Sequence, residues 1–108
     1  MVPFTLFEEK KMNTLVAIWL IVSAVLFPVS REKFISEVVK EVEKESSVII
    51  LTSCPFTDVS SDSDACKGFH VGITAGTSET TFEPNRNILQ YEAFLMLGKA
   101  DQYLSNRR

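Results

Sequence analysis

The chain has 108 residues, enough for one small domain, and carries a formal net charge of −3. Residues 31–66 hold eight acids and four bases, and residues 67–108 hold four acids and five bases. Neither half forms the basic patch that follows a phosphate backbone, so the composition argues against nucleic-acid binding.

The first feature along the chain is an uncharged apolar stretch of 13 residues, Leu15–Phe27, which follows Lys10 and Lys11. A positive flank before 7–15 apolar residues is typical of a secretory signal peptide, and the Val-Ser-Ala sequence at 22–24 offers small residues for cleavage. The uncharged run 12–30 nearly reaches the length of a spanning helix, so a signal anchor is the rival interpretation, and a buried core helix is the third. Translation starts at either Met1 or Met12.

We therefore predict that residues 1–30 are a signal peptide or signal anchor. Residues 31–108 would then form a small unit that is secreted or lies on the extracellular face of the membrane. Contact with the membrane is expected only through the N-terminal hydrophobic stretch.

Two cysteines, Cys54 and Cys66, lie in the exported part of the chain. Beyond an export signal an even number of cysteines predicts a disulfide, which would add about 3 kcal/mol to a marginal small core. The alternative is a catalytic thiol at Cys54. It would need a base, and the single His70 comes with no identifiable third group. We predict the Cys54–Cys66 bridge.

The first helix is predicted over residues 30–45, with Ser30 as its N-cap. Its apolar residues fall at i, i+1, i+4, i+5 and i+8 and share one stripe. These residues are Phe34, Ile35, Val38, Val39 and Val42. The charged opposite face indicates an ordinary solvated amphipathic helix.

Two strands are predicted next, which makes the fold class α/β. Val48–Leu51 is a continuous apolar run typical of a strand buried on both faces, and Phe69–Thr74 alternates between apolar and other residues. Residues 53–68 and 75–87 are loops, and residues 80–83 are the candidate for a short edge strand. The expected order is helix-strand-loop-strand-helix. Two strands cannot cover a fully buried strand, so the unit is expected to be incomplete without another subunit or a longer chain.

A final helix is predicted from Asn87 as N-cap, with Gln90 three residues further on. Seven residues share one arc of about 120°. These residues are Leu89, Ala93, Met96, Leu97, Ala100, Tyr103 and Leu104. The residues Ile88, Tyr91, Phe94 and Leu95 lie outside that arc, so the first half of the helix is apolar on more than one side and favours a partner.

No catalytic, cofactor-binding or metal site is predicted. His70 is the only histidine, and one histidine cannot make the usual zinc site. Asp58, Asp62 and Asp64 suggest calcium, but their loop lacks the glycine and the glutamate of an EF-hand. The stretch Gly72–Ser78 at the end of the predicted strand lacks the lysine of a phosphate loop and the spacing of a dinucleotide fingerprint, so it indicates a glycine turn that leaves the strand.

The start of the chain resembles a known family. A signal-like stretch, an amphipathic helix (Phe34–Val42) and a strand closing on a cysteine (VIILTSC, residues 48–54) are similar to the extracellular amino-terminal region of divergent insect ionotropic receptors. These receptors are chemosensory relatives of ionotropic glutamate receptors. The resemblance covers residues 12–54 and implies an α/β extracellular lobe of a ligand-gated cation channel. The sequence lacks the pore helices and ligand-binding halves of the family, so no binding residue is carried over.

Three functional hypotheses follow from these observations. The leading one is a non-enzymatic exported protein, a fragment of a receptor ectodomain without channel or catalytic activity, whose partner is the remainder of a receptor chain or another subunit. The alternative is a complete small secreted binding or effector protein with one disulfide. The third is a small enzyme that uses Cys54.

Overall fold

The computed structural model describes residues 18–20, 22, 28–49 and 53–106. Three helices are defined in this part of the chain: α1 (Arg31–Glu45), α2 (Asp64–His70) and α3 (Gln90–Asn106). Helix α1 contacts both α2 and α3 and therefore lies at the centre of the unit.

Helix α1 confirms the predicted first helix. The Ser30 hydroxyl accepts a hydrogen bond of 3.1 Å from the backbone N–H three residues on, as an N-cap does. The first two N–H groups of the helix also have partners outside it. The N–H of Arg31 donates to the Arg86 carbonyl oxygen at 2.8 Å, and that of Glu32 donates to the Pro84 carbonyl oxygen at 3.0 Å. The segment before α3 thus completes the start of α1. The predicted stripe is buried: Phe34, Ile35, Val38, Val39 and Val42.

The predicted α/β fold is wrong, because the described residues form no sheet and are mostly helical. The β-bridge found among them joins Ser30 to Asn87. Residues 47–49 are not a strand: Val48 is 69 % exposed, whereas Ile49 is buried and its N–H donates to the Glu43 carboxylate at 2.9 Å. A short apolar run cannot by itself distinguish a strand from a segment anchored by one side chain. Residues 50 and 51, the rest of the first predicted strand, lie outside the described residues.

The second predicted strand, Phe69–Thr74, is also wrong. Helix α2 begins at Asp64 and runs to His70, and the chain turns directly afterwards. The Ser63 hydroxyl accepts from the N–H three residues on at 3.3 Å, which is the local signal for this helix. Gly68 faces α1 so closely that a Cβ there would lie 2.9 Å from Cδ1 of Ile35. Three alternating apolar residues are too few to outweigh a cap and a close helix contact.

Helix α3 confirms the predicted final helix but not its cap. The helix begins at Gln90, so Asn87 is not the N-cap; instead, the Glu92 carboxylate accepts from the Leu89 N–H at 2.9 Å. Most of the predicted arc is buried: Ala93, Met96, Leu97, Ala100 and Leu104. Tyr103 is half-buried, while Leu89 precedes the helix and is largely exposed.

The loop between α2 and α3 is held by turns and by the preceding loop. Gly76 has a φ of 84°, and a Cβ there would run into the Phe56 ring and lie 2.6 Å from the Thr81 carbonyl oxygen. Only glycine fits both constraints without strain, as the predicted turn required. The Thr57 N–H donates to the Thr80 carbonyl oxygen at 2.8 Å. Thr80 is paired in this way, but residues 80–83 do not form the predicted edge strand.

Four described residues belong to the N-terminal apolar stretch. They are helical, with Leu20 buried in the core and Ile18, Trp19 and Val22 largely exposed. Among the described residues no helix is long and apolar enough to span a membrane. Most of the stretch lies outside those residues, so its assignment as signal or anchor stays a prediction.

Candidate functional site

The predicted disulfide is present. Cys54 and Cys66 are bonded, with a Cα–Cα distance of 5.4 Å, and Cys66 is fully buried in α2. The bond ties the loop before α2 to a buried position of that helix. Neither sulfur is a free thiol, so nucleophilic chemistry at Cys54 is unavailable in this state.

The loop closed by this disulfide carries Asp58, whose carboxylate holds the loop before α3. It accepts from the backbone N–H of Phe82 at 2.9 Å and from that of Glu83 at 2.8 Å. The hydrogen bond from Phe82 is the main reason why the pKa of Asp58 lies below its ordinary value. The Phe82 ring is fully buried, and its centroid lies 5.7 Å from that of Phe56. Asp58 therefore positions an aromatic side chain in the core.

A buried arginine lies against the same aromatic ring. Arg31, the first residue of α1, is only 2 % exposed, and its guanidinium carbon lies 4.5 Å from the centroid of Phe82. Its Nε donates to the Phe82 carbonyl oxygen at 2.7 Å, and its Nη1 lies 2.9 Å from Oε2 of Glu92. The positive charge is thus covered by a ring face, a carbonyl oxygen and a carboxylate.

Glu92 of α3 receives two guanidinium groups. The same oxygen, Oε2, is 2.9 Å from Arg31 and 2.8 Å from Nη2 of Arg86, while Oε1 accepts from the Leu89 N–H. Burial by itself raises the pKa of Glu92, but the hydrogen bonds from Arg86 and Leu89 outweigh it, and the pKa lies below its ordinary value. The bond to Glu92 raises the pKa of Arg86. We call Arg31, Arg86 and Glu92 the charge cluster.

The charge cluster is built for structure rather than for catalysis. A general base works best with a pKa near the working pH and a free lone pair directed at substrate. The pKa of Glu92 is lowered, and both of its oxygens already accept hydrogen bonds from the protein. The cluster instead joins the start of α1, the loop before α3 and the first turn of α3.

The remaining polar residues that the sequence singled out do not come together. Asp62 accepts from the Ser60 hydroxyl, and Asp64 accepts from the Ser36 hydroxyl at 2.7 Å. His70 is exposed at the end of α2, not in the predicted strand. Within the described residues no group of three or more His, Cys, Asp and Glu side chains could hold a metal ion.

A shallow cleft opens beside the charge cluster, between α3 and the turn at residues 73–76. Its volume is about 200 Å³, below the range of about 300–1,000 Å³ that is typical of small-molecule sites. Its lining residues are Arg31, Ile73, Thr74, Ala75, Gly76, Tyr91, Glu92, Leu95, Met96 and Lys99. The size and openness of the cleft suit one side chain of a partner better than an enclosed ligand.

The outer surface of α3 continues from this cleft and is apolar. Tyr91, Phe94 and Leu95 are 62, 49 and 54 % exposed. Gly98 follows on the same side of the helix. Apart from its chain neighbours and the backbone of its own helix, no atom of the described residues lies within 4 Å of the place where its Cβ would be. We call these four residues the open face. Spacings of three and four residues place them together, away from the buried arc of α3.

The sequence contained a signal for the charge cluster. Arg31 lies three and four residues before Phe34 and Ile35 and so falls on the apolar stripe of α1, where a charge must be paired. No comparable signal identified Glu92 or Arg86 as its partners, because they are more than fifty residues away along the chain. The helical pattern places Tyr91, Phe94 and Leu95 outside the predicted arc together with Ile88, but Ile88 is buried and no pattern pointed to Gly98.

Comparison of the chain with protein-family models, with curated proteins and with solved structures finds no significant match in any of the three.

Proposed function

We propose that this protein is exported, is not an enzyme, and acts by binding another macromolecule through the open face. The observation that carries the proposal is the Cys54–Cys66 disulfide, which closes the loop that supports the charge cluster. Structural disulfides persist in oxidising compartments and are rare in reducing ones. The apolar stretch Leu15–Phe27 after two lysines supports the same destination from the sequence alone.

Binding rather than catalysis accounts for the polar groups. The two sulfurs are bonded to each other, Asp58 accepts from two backbone N–H groups, and Glu92 is paired with two arginines. These groups are occupied by structural contacts, whereas the open face is apolar and has no cover within the described chain. Exposed contiguous apolar side chains are characteristic of interaction surfaces.

The receptor-ectodomain hypothesis loses part of its support. It drew on an α/β lobe and on a buried strand that needed neighbouring strands, and the described fold is helical. The resemblance of residues 12–54 to insect ionotropic receptors stays a prediction. A small exported binding protein accounts for the disulfide and the open face without an absent sheet, so we place it first.

Expression of the full chain in eukaryotic cells tests the proposal. We expect the protein in the medium or on the outer side of the membrane. In denaturant, which exposes the buried Cys66, Cys54 and Cys66 should be unreactive to a maleimide until a reductant is added. N-terminal sequencing would separate cleavage from anchoring. A matched chain without residues 1–30 should stay in the cytosol with two reactive thiols. Cytosolic full-length protein with both thiols reactive would contradict the proposal.

A further inference from the structure

We infer that the open face of α3 binds a second copy of this chain as an antiparallel helix pair related by a twofold axis. The inference rests on the proposed function, because it takes the open face as the binding surface and names its partner. Homo-oligomers with twofold symmetry are the commonest assemblies, and their interface must be complementary to itself.

The open face is complementary to itself in shape. If the twofold axis passes between Phe94 and Leu95, antiparallel packing places Tyr91 of one copy across from Gly98 of the other. Tyr91 is 62 % exposed, and outside the backbone of α3 and the chain neighbours of Gly98 no atom of the described residues lies within 4 Å of a Cβ at Gly98. The symmetry repeats this contact at the other end, with Phe94 and Leu95 meeting in the middle. Large side chains thus face small ones at both ends.

Gly98 has no explanation in a single copy. It lies inside α3, where glycine costs about 1 kcal/mol relative to alanine. It does not have a positive φ, and no neighbouring atom would be touched by a Cβ. A second helix close to this position supplies the missing reason, because glycine allows two helices to approach closely.

Charge does not oppose this partner. In this register Lys99 of one copy is level with the neutral Gln90 of the other. The two Lys99 residues are separated along the axis by about 13 Å, from a rise of 1.5 Å per residue, which exceeds the Debye length of about 8 Å at physiological salt. The open face itself carries no charge, so association brings no like charges together.

A lipid surface fits less well. Helices that lie in the membrane interface have a polar face rich in lysine and arginine. Within Gln90–Asn106 the single cation Lys99 is outnumbered by Glu92 and Asp101. Attraction to anionic headgroups would therefore be absent along this helix.

The size of the open face predicts the strength of association. Aromatic side chains bury about 150–250 Å² each, so half-exposed Tyr91 and Phe94 together with Leu95 offer roughly 350 Å² per copy. Stable interfaces bury about 800 Å² per partner. We therefore expect a weak dimer, with a dissociation constant on the order of 10–100 µM.

Sedimentation equilibrium of the oxidised protein recovered from cells tests the inference, over about 1–500 µM around that dissociation constant. We expect the average mass to rise from one copy to two. Leu95→Glu should weaken association at least tenfold. The matched control Val48→Glu, at an exposed apolar residue outside the open face, should associate as the wild type does.

Gly98→Ala separates the inference from a purely structural role. In dilute solution it should raise the unfolding temperature, because alanine favours the helix and its Cβ meets no neighbour. At high concentration it should weaken association severalfold, because the Cβ occupies the space of the partner's tyrosine ring. A variant that gains stability and associates unchanged would overturn the inference.

A photo-crosslinking amino acid at position 91 tests the register. In a mixture of isotopically light and heavy chains, we expect mixed-mass cross-links near Gly98 of the other copy. Cross-links to position 91 itself would indicate a parallel pair and overturn the register.

A wild type that stays monomeric at the highest concentration would overturn self-association. If that monomer bound phosphatidylcholine vesicles and Leu95→Glu abolished the binding, the open face would be a lipid surface. Neither result would affect export or the disulfide, which the assay of the proposed function measures separately.

Discussion

The charge cluster allows one prediction to be worked out in depth. Arg31 and Arg86 bind the same oxygen of Glu92 at nearly equal distances, 2.9 and 2.8 Å. They differ in burial, because the side chain of Arg31 is 2 % exposed and that of Arg86 is 33 % exposed. Methionine keeps much of the apolar stem of arginine. Replacing each arginine by methionine therefore measures how burial changes the contribution of its ion pair to the free energy of unfolding.

We expect Arg31→Met to lower the free energy of unfolding by about 3 kcal/mol. Loss of the Nε donor leaves the buried Phe82 carbonyl oxygen without that bond, at a cost of about 1–3 kcal/mol. Loss of the contact with the Phe82 ring costs up to about 2 kcal/mol. Relief from burying a charge offsets part of this sum, and Glu92 keeps Arg86 as a partner. The matched Arg86→Met should cost no more than about 1 kcal/mol.

Urea unfolding of the oxidised variants, followed by circular dichroism, measures both values. The double variant Arg31→Met/Glu92→Leu should lose less stability than the two single losses added together, because Glu92→Leu alone leaves a buried guanidinium with no carboxylate. Equal losses for Arg31→Met and Arg86→Met, or a loss below about 1 kcal/mol for Arg31→Met, would refute the reasoning from burial.

Three further predictions concern the loops. Cys54→Ser/Cys66→Ser should lower the free energy of unfolding by about 3 kcal/mol, and reduced wild type should unfold at the same urea concentration as this variant. A variant as stable as the oxidised wild type would contradict this. Gly76→Ala should lower the melting temperature more than Gly72→Ala. The φ angles of the two glycines are nearly equal, 84° and 85°, but of the two only Gly76 is crowded by neighbouring atoms. Equal melting temperatures would contradict a role for this crowding. Because the folded pKa of Asp58 is lowered, its contribution is present above the ordinary pKa of about 3.9 and is lost as pH falls through the folded value. Asp58→Asn should flatten this acid-induced loss in thermal melts, whereas an unchanged pH profile would show that Asp58 does not cause it.

The two long helices could be predicted because their signals are local and repeated. Helix α1 has five apolar residues on one stripe and a serine cap, and α3 has an arc that spans more than three turns. The pattern is wrong only about the start of α3. Asn87 is not the N-cap, and the Glu92 carboxylate instead accepts a hydrogen bond from the Leu89 N–H. Helix ends depend on a single side-chain contact, so pattern alone places them poorly.

The sheet was predicted because short apolar runs are ambiguous. Phe69, Val71 and Ile73 alternate, yet Phe69 belongs to a short helix and Ile73 follows it in a buried turn. The Ser63 cap is recognised as a helix signal only in the structure, where its hydroxyl accepts from the Cys66 N–H. The close contact of Gly68 with Ile35 could not be known before the packing of α2 on α1.

The sequence by itself determined the two amphipathic helices, the pairing of the only two cysteines and the glycine turn before α3. Each of these follows from periodicity, from counting or from a backbone angle that few residues adopt. Only the tertiary structure decided that Arg31 meets Glu92 and that Asp58 holds Phe82, because those partners are 61 and 24 residues apart. It also decided which apolar surface of α3 is left uncovered. The local pattern places Ile88, Tyr91, Phe94 and Leu95 outside the arc, but only the packing shows that Ile88 is covered and the other three are not.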